Sequence, residues 1–177
     1  MNIVIVKPGG DYYFRADSTL NHKFLDYYCP DAVERLAVVP VIYTRIKKTG
    51  KCVSDRFAQR YFDSFAFGCL INDTTGGVSP SMAVSLDATT VMGMDFSPIE
   101  DLPQSNFTLA VNDISVFKMG EVPGIECFTN ALCAVTARSM LRMGDILALE
   151  LAPPSAIGRG DTLILNTGSG SRSIKII

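Results

Sequence analysis

The apolar positions of this chain come mostly in short blocks of strand length, with two stretches of helical spacing. Ile3-Val4-Ile5-Val6 is a β-branched run stopped by Pro8-Gly9-Gly10, which predicts a short strand and a turn. Residues 36–45, LAVVPVIYTR, predict a second strand. Pro40 inside it predicts an edge or a bulge, because proline cannot donate to a ladder. Phe57, Ala58, Tyr61, Phe62 and Phe65 recur at helical spacing behind Ser54, a good N-cap, and Asp55, a first-turn acid. The pattern predicts a helix over 54–65, ended by Gly68, then a strand from Cys69 into Asn72-Asp73-Thr74-Thr75-Gly76-Gly77. Residues 106–116 read as a strand pair turning at Asn112-Asp113.

The longest organised stretch is 125–165. Phe128, Ala131, Leu132 and Val135 share one side of a helix predicted over 125–143, with Arg138 and Arg142 in its last turns and Gly144 at its end. Residues 146–151 then form an apolar run short enough for a buried strand, closed by Pro153-Pro154. The sequence repeats: Gly160-Asp161 opens Thr162-Leu163-Ile164-Leu165 as Gly144-Asp145 opened Ile146 to Leu149. Both strands are expected in one sheet system.

A chain of 177 residues, 47% hydrophobic, is read as one domain, 1–177, with a full core. Net charge is −2 with no basic block along the sequence, so nothing points to nucleic acid. No apolar run approaches the roughly 20 residues that span a membrane, and the N-terminus lacks a signal-peptide pattern. Cys29, Cys52, Cys69, Cys127 and Cys133 are an odd set at irregular spacing, read as reduced and mostly buried thiols in the cytoplasm. His22, the only histidine, reads as a loop or surface residue. The aromatics between Tyr12 and Tyr28 fit either core packing or a contact surface. Glu126 fits a first-turn helix acid, whereas Glu150, inside an apolar strand, needs a partner. No GxGxxG, P-loop, CxxC pair or serine–histidine set is present.

These motifs resemble the fumarylacetoacetate hydrolase family, specifically its 2-hydroxyhepta-2,4-diene-1,7-dioate isomerase and acylpyruvate hydrolase group. Gly50-Lys51 followed by residues 52–63 is similar to the family's GK turn and EEKFAHRYYD-like helix. Asn72-Asp73-Thr74-Thr75 is similar to its NDxSARD segment, and Leu141-Arg142-Met143-Gly144-Asp145 to its LxxGD turn. Lys7-Pro8 matches its KP pair and Leu86-Asp87 the FD of its KGFD loop. The resemblance implies a mostly β (α+β) fold, a mixed sheet of β-roll type with two main helices, and a homodimer. It also implies metal-dependent hydrolysis, isomerisation or decarboxylation of a small 2-oxo or 2-hydroxy acid with magnesium or manganese.

The implied site is degraded. The ion would sit on two glutamates of an ExE strand and one aspartate; the aspartate falls on Asp73, the glutamates on Val39 and Val41. Glu34 is the nearest acid upstream. The catalytic lysine falls on Val84, the SARD arginine on Gly77, and the TGTP turn on Ala152-Pro153-Pro154. The chain also lacks the GRNYxxH segment expected before Lys7. The expectation is therefore a divergent scaffold with no bound metal and no catalytic residue, with a binding, regulatory or structural role. Lys7, Thr74, Thr75 and Asp87 remain as substrate-binding positions and Asp73 as a lone metal ligand, unless its Asn-Asp-Thr-Thr run is simply a turn. Val39 and Val41 should then point to the side of the sheet on which Asp73 emerges.

Overall fold

The structure, a computed structural model, describes residues 1–121, 123–168 and 170–177. Its first strands are β1 (Ile3–Val6), β2 (Tyr12–Arg15), β3 (Leu20–Asn21), β4 (Leu36–Arg45), β5 (Ser64–Asp73), β6 (Thr90–Val91) and β7 (Ser97–Pro98). They are followed by β8 (Phe107–Val111), β9 (Ile114–Lys118), β10 (Ile146–Glu150), β11 (Ser155–Ile157), β12 (Thr162–Thr167) and β13 (Gly170–Lys175). Helices are few: α1 (Asp55–Ala58), α2 (Pro80–Ala83) and α3 (Ile125–Thr136). The expected class holds: mostly β, with a curled mixed sheet.

The large sheet runs β2-β1-β10-β4-β5-β6-β3, with β11 taking over from β10 alongside β4. The pairs β1/β10 and β3/β6 are parallel and the others antiparallel. It is strongly curled. Arg15 on β2 donates to the Ile71 carbonyl of β5 at 3.1 Å, four strands away in the order, a separation of about 19 Å in a flat sheet. The inner face of this roll packs Ile3, Ile5, Val39, Val41, Tyr43, Leu70 and Ile146. The outer face, with Val4, Ile42, Ile71 and Leu147, packs on α3 through Phe128 and Leu132, and on the small sheet β13-β12-β8-β9 through Leu109, Leu163 and Ile174.

Several expectations are corrected. The helix over 54–65 stops at Ala58 and passes through a 3₁₀ turn; Phe65 already lies in β5 and Gly68 in its middle. A short aromatic-rich run satisfies both periods, and the long pairing of β5 on β4 decides for strand. The helix over 125–143 ends at Thr136, because Cys52 N–H donates to the Thr136 carbonyl (2.7 Å) and Gly50 and Leu141 exchange backbone bonds. Arg138 and Arg142 therefore lie beyond it. β4 is central, not an edge. Pro40 is tolerated because its side of the strand faces the gap between β10 and β11, where Leu151 N–H reaches the Pro40 carbonyl at 2.9 Å.

The Gly-Asp repeat is genuine but serves two sheets, since β10 belongs to the large one and β12 to the small one. Both turns are built alike. Gly144 and Gly160 have φ of +93° and +91°. Each aspartate accepts from the N–H three residues back: Arg142 to Asp145 and Gly158 to Asp161, both at 2.8 Å. Asp145 also accepts from Asn2 N–H at 2.7 Å, which ties β10 to the start of β1. Asn112 and Asp113 have φ of 49° and 68°, as a type I′ hairpin requires. All five cysteines are free, but only Cys29 and Cys69 are buried. No described helix is long and apolar enough to cross a membrane.

Candidate functional site

Strand alternation decides what can meet. Asp73 pairs with Leu36, and Val39 with Leu70; opposite residues share a face, so Asp73 is on the outer side of the sheet with Leu36, while Val39 and Val41 are inside the roll. The expected convergence of these valines on Asp73 is thereby overturned: even- and odd-numbered positions of β4 point oppositely.

Asp73 is buried and acts within a turn. Its Oδ1 accepts from Thr75 N–H at 2.8 Å. Thr75 Oγ1 accepts from Glu34 N–H at 2.9 Å and Arg35 N–H at 3.2 Å, and Thr74 N–H donates to the Arg35 carbonyl at 2.8 Å. The segment thus clamps the end of β5 to the residues leading into β4. Asp73→Ala is expected to cost about 1–2 kcal/mol through the lost buried bond, and Asp73→Asn less; chemical denaturation measures both. Asp87 is exposed in the loop before β6, away from the turn's hydrogen bonds, and Lys7 is exposed just after β1.

The polar cluster the sequence did not assemble lies inside the roll, on the face of Val39 and Val41. Glu150 ends β10 opposite Val41, Tyr13 pairs with Ile5 and Arg15 with Ile3, so all three point inward. Tyr13 Oη donates to Glu150 Oε1 at 3.0 Å, and Lys7 Nζ stands 5.3 Å from the centre of the Tyr13 ring. Arg15, only 3% exposed, donates to Asn72 Oδ1 (2.9 Å), the Ile71 carbonyl (3.1 Å) and Thr89 Oγ1 (2.6 Å) and interacts electrostatically with the Tyr13 hydroxyl, while among the described residues its Nε has no hydrogen-bond partner. All three of those acceptors are neutral, and among the described residues no carboxylate lies within ion-pair distance of Arg15.

Burial dominates the electrostatics. It lowers the Arg15 guanidinium to about 10, still a cation at neutral pH, and pushes the Tyr13 phenol far up, with the Glu150 charge adding to the effect. Burial also raises the Glu150 carboxyl, against the Tyr13 hydrogen bond and the Lys7 and Arg15 charges, which lower it. A carboxyl raised in the folded state makes folding bind protons, so this contribution is full below the unfolded value and is lost as pH rises through the folded one. Glu150→Gln is expected to flatten the dependence of melting temperature on pH across the weakly acidic range and to hold or raise it at neutral pH. A steeper profile in the variant would refute that assignment.

Lys7 and Glu150 were legible as candidates one by one; Tyr13, Arg15 and Asn72 were not. The only signal was the inward spacing of two in Tyr12-Tyr13-Phe14-Arg15, which has meaning only once the pairing with β1 is known. A cavity of about 770 Å³ lies elsewhere, between Phe67, Tyr43 and Arg172.

A curled mixed sheet with a β-roll interior, one packed helix and a small second sheet defines the fumarylacetoacetate hydrolase fold. Solved structures of that class superpose over nearly the whole chain. A protein assigned to the fumarylacetoacetate hydrolase family from Yersinia pestis CO92 matches with a TM-score of 0.81 at 14% identity, over 99% of this chain and 92% of that one. The 2-hydroxyhepta-2,4-diene-1,7-dioate isomerase of Mycobacterium marinum gives 0.84 at 14%, over 99% and 74%. The fumarylpyruvate hydrolase of Pseudomonas aeruginosa, solved with Mn2+ and pyruvate, gives 0.81 at 12%, over 100% and 89%. Neither a family model nor a curated protein matches the sequence. The fold is therefore shared at low sequence identity.

The described acidic side chains do not gather into a divalent-ion site. Among the described residues no three His, Cys, Asp or Glu side chains come together in a way that could hold one. Asp73 spends an oxygen on its turn and has Leu36 opposite it, while Glu150 faces a phenol and two cations. Neither place fits a carboxylate-bound magnesium or manganese.

Proposed function

We propose that this chain is a divergent protein on the fumarylacetoacetate hydrolase fold that binds a small carboxylate of the 2-oxo acid class, without the family's metal-dependent turnover. The observation that carries the reading is Arg15: a buried guanidinium held by neutral acceptors, its Nε without a hydrogen bond among the described residues, on the same inner face as Tyr13, over whose ring the exposed Lys7 stands. Two cations against one acid, Glu150, leave one positive charge, which suits one monocarboxylate. Asp73, Thr74 and Thr75 are structural in this reading, and Asp87 is an exposed loop acid. The role is binding or regulatory, and the assembly is a homodimer, to which the exposed Phe14, Leu25 and Tyr28 would lend apolar contact area. Sedimentation would read its mass.

The test is calorimetric titration with pyruvate, with and without Mn2+, alongside an acylpyruvate hydrolysis assay. Binding independent of Mn2+, at least tenfold weaker in Lys7→Ala, with no turnover, is expected. Lys7 is exposed, so its removal leaves the fold standing. Mn2+-dependent turnover lost in Asp73→Ala at unchanged melting temperature would establish an active hydrolase instead.

A further inference from the structure

The net charge of −2 conceals a strong separation. Eight of the 16 lysines and arginines lie in residues 45–60 and 138–142. These segments are distant in sequence, but backbone bonds knit them together. Gly50 and Leu141 pair in both directions (2.9 and 3.0 Å), Cys52 N–H reaches the Thr136 carbonyl (2.7 Å), and Gly144 N–H reaches the Ile46 carbonyl (2.8 Å). All eight basic side chains are exposed, six between Arg45 and Arg60, then Arg138 and Arg142. Two exposed acids, Asp55 and Asp63, accompany them, and Asp63 is already paired with Lys47 at 2.6 Å. The remainder of the surface is correspondingly acidic.

An aromatic platform sits in this field. Phe57 is 42% exposed, and the guanidinium groups of Arg60 and Arg56 lie 4.9 and 5.6 Å from its ring centre. Lys48 is 5.9 Å from the ring centre of Tyr61 in the same way. A two-fold contact between copies would set this face against itself, cation on cation, so it cannot be an isologous interface. Its complement is a polyanion. Exposed ring and guanidinium planes among many cations match what unpaired bases and their phosphates need. α1 has four residues, too short to enter a duplex groove as a reading helix.

We propose that this face binds single-stranded nucleic acid, with phosphates on the basic residues and a base stacked on the Phe57–Arg60 platform. The inference is independent of the roll cluster and of the carboxylate reading.

The experiment is fluorescence anisotropy of a labelled oligouridylate about 20 nucleotides long, titrated at several salt concentrations. Affinity should fall steeply with salt, each phosphate contact adding about 0.7 to the logarithmic slope. Arg56→Glu with Arg60→Glu should weaken binding more than about tenfold and reduce that slope by about 1.4. Phe57→Ala should weaken it by about tenfold with the slope unchanged and the melting temperature held. Lys118→Glu, an exposed lysine of the small sheet outside the two basic segments, should change nothing. Absence of binding at about 50 mM salt would overturn the proposal. So would equal losses in the Lys118 variant, or tighter binding of poly-glutamate or phosphatidylserine vesicles that is indifferent to Phe57→Ala. The last result would assign the face to an acidic protein or a membrane.

Discussion

Gly68→Ala is expected to lower the melting temperature by about 10 °C or to prevent folding. Gly68 sits inside β5, facing into the roll, where β6 crosses. A Cβ there would run into the Val91 carbonyl oxygen and stand 3.2 Å from Cε1 of Tyr43 and 3.3 Å from Cγ of Met92. The first of these is backbone, fixed by the Cys69–Val91 and Leu70–Thr90 pairing, so it cannot swing aside. Tyr43 is equally committed, because its hydroxyl donates to the Gly93 carbonyl at 2.7 Å. Overpacking in a well-filled core typically costs about 1–3 kcal/mol, and a backbone clash belongs at or above the top of that range. At about 2–4 °C per kcal/mol for a chain of this size, the shift follows. Gly76→Ala is the control: nothing lies within 4 Å of its Cβ position, and it should melt within about a degree of the parent. Equal melting of both variants would mean that β6 does not lie where the strand pairing puts it.

The same glycine shows why part of the fold was legible and part was not. Elements set by local chemistry could be read directly. The β-branched run after Asn2 became β1, Asn112-Asp113 made its tight hairpin, and both Gly-Asp turns opened strands. Elements decided by a distant partner could not. Residues 54–71 hold apolar positions that suit a helix up to Phe62 and a strand from Phe65, and only the ladder against β4 fixes where one gives way to the other. Pro40 looked like an edge residue because a sequence cannot show that β10 and β11 meet opposite it. The site suffered most. Aligning Val39 and Val41 with ligand positions assumed that they share a face with Asp73, and strand parity places them on opposite faces. The inner cluster needs β2, β5 and β10 brought around a curl, which no spacing along the chain encodes.

Replacing Arg15 tests that curl and the charge inside it together. Arg15→Met keeps most of the side chain's length but strands three acceptors: Asn72 Oδ1, the Ile71 carbonyl and Thr89 Oγ1. Unsatisfied buried acceptors cost about 1–3 kcal/mol each, and relief from burying a cation offsets part of that. The net loss should be about 2–4 kcal/mol, because the arginine is also the strut between β2 and β5. Arg15→Lys should lose less, keeping the charge but not the planar fork that reaches several acceptors at once. The loss should also depend on pH. Arg15 is one of the charges that lower the Glu150 carboxyl; without it that carboxyl rises further, so the folded variant takes up a proton more readily and is penalised more at high pH than at low. Denaturant titrations of Arg15→Met at about pH 5 and pH 8 should show the larger deficit at the higher pH, and adding Glu150→Gln should shrink that difference. A deficit independent of pH would show that Arg15 acts through its hydrogen bonds alone and that Glu150 does not sense it.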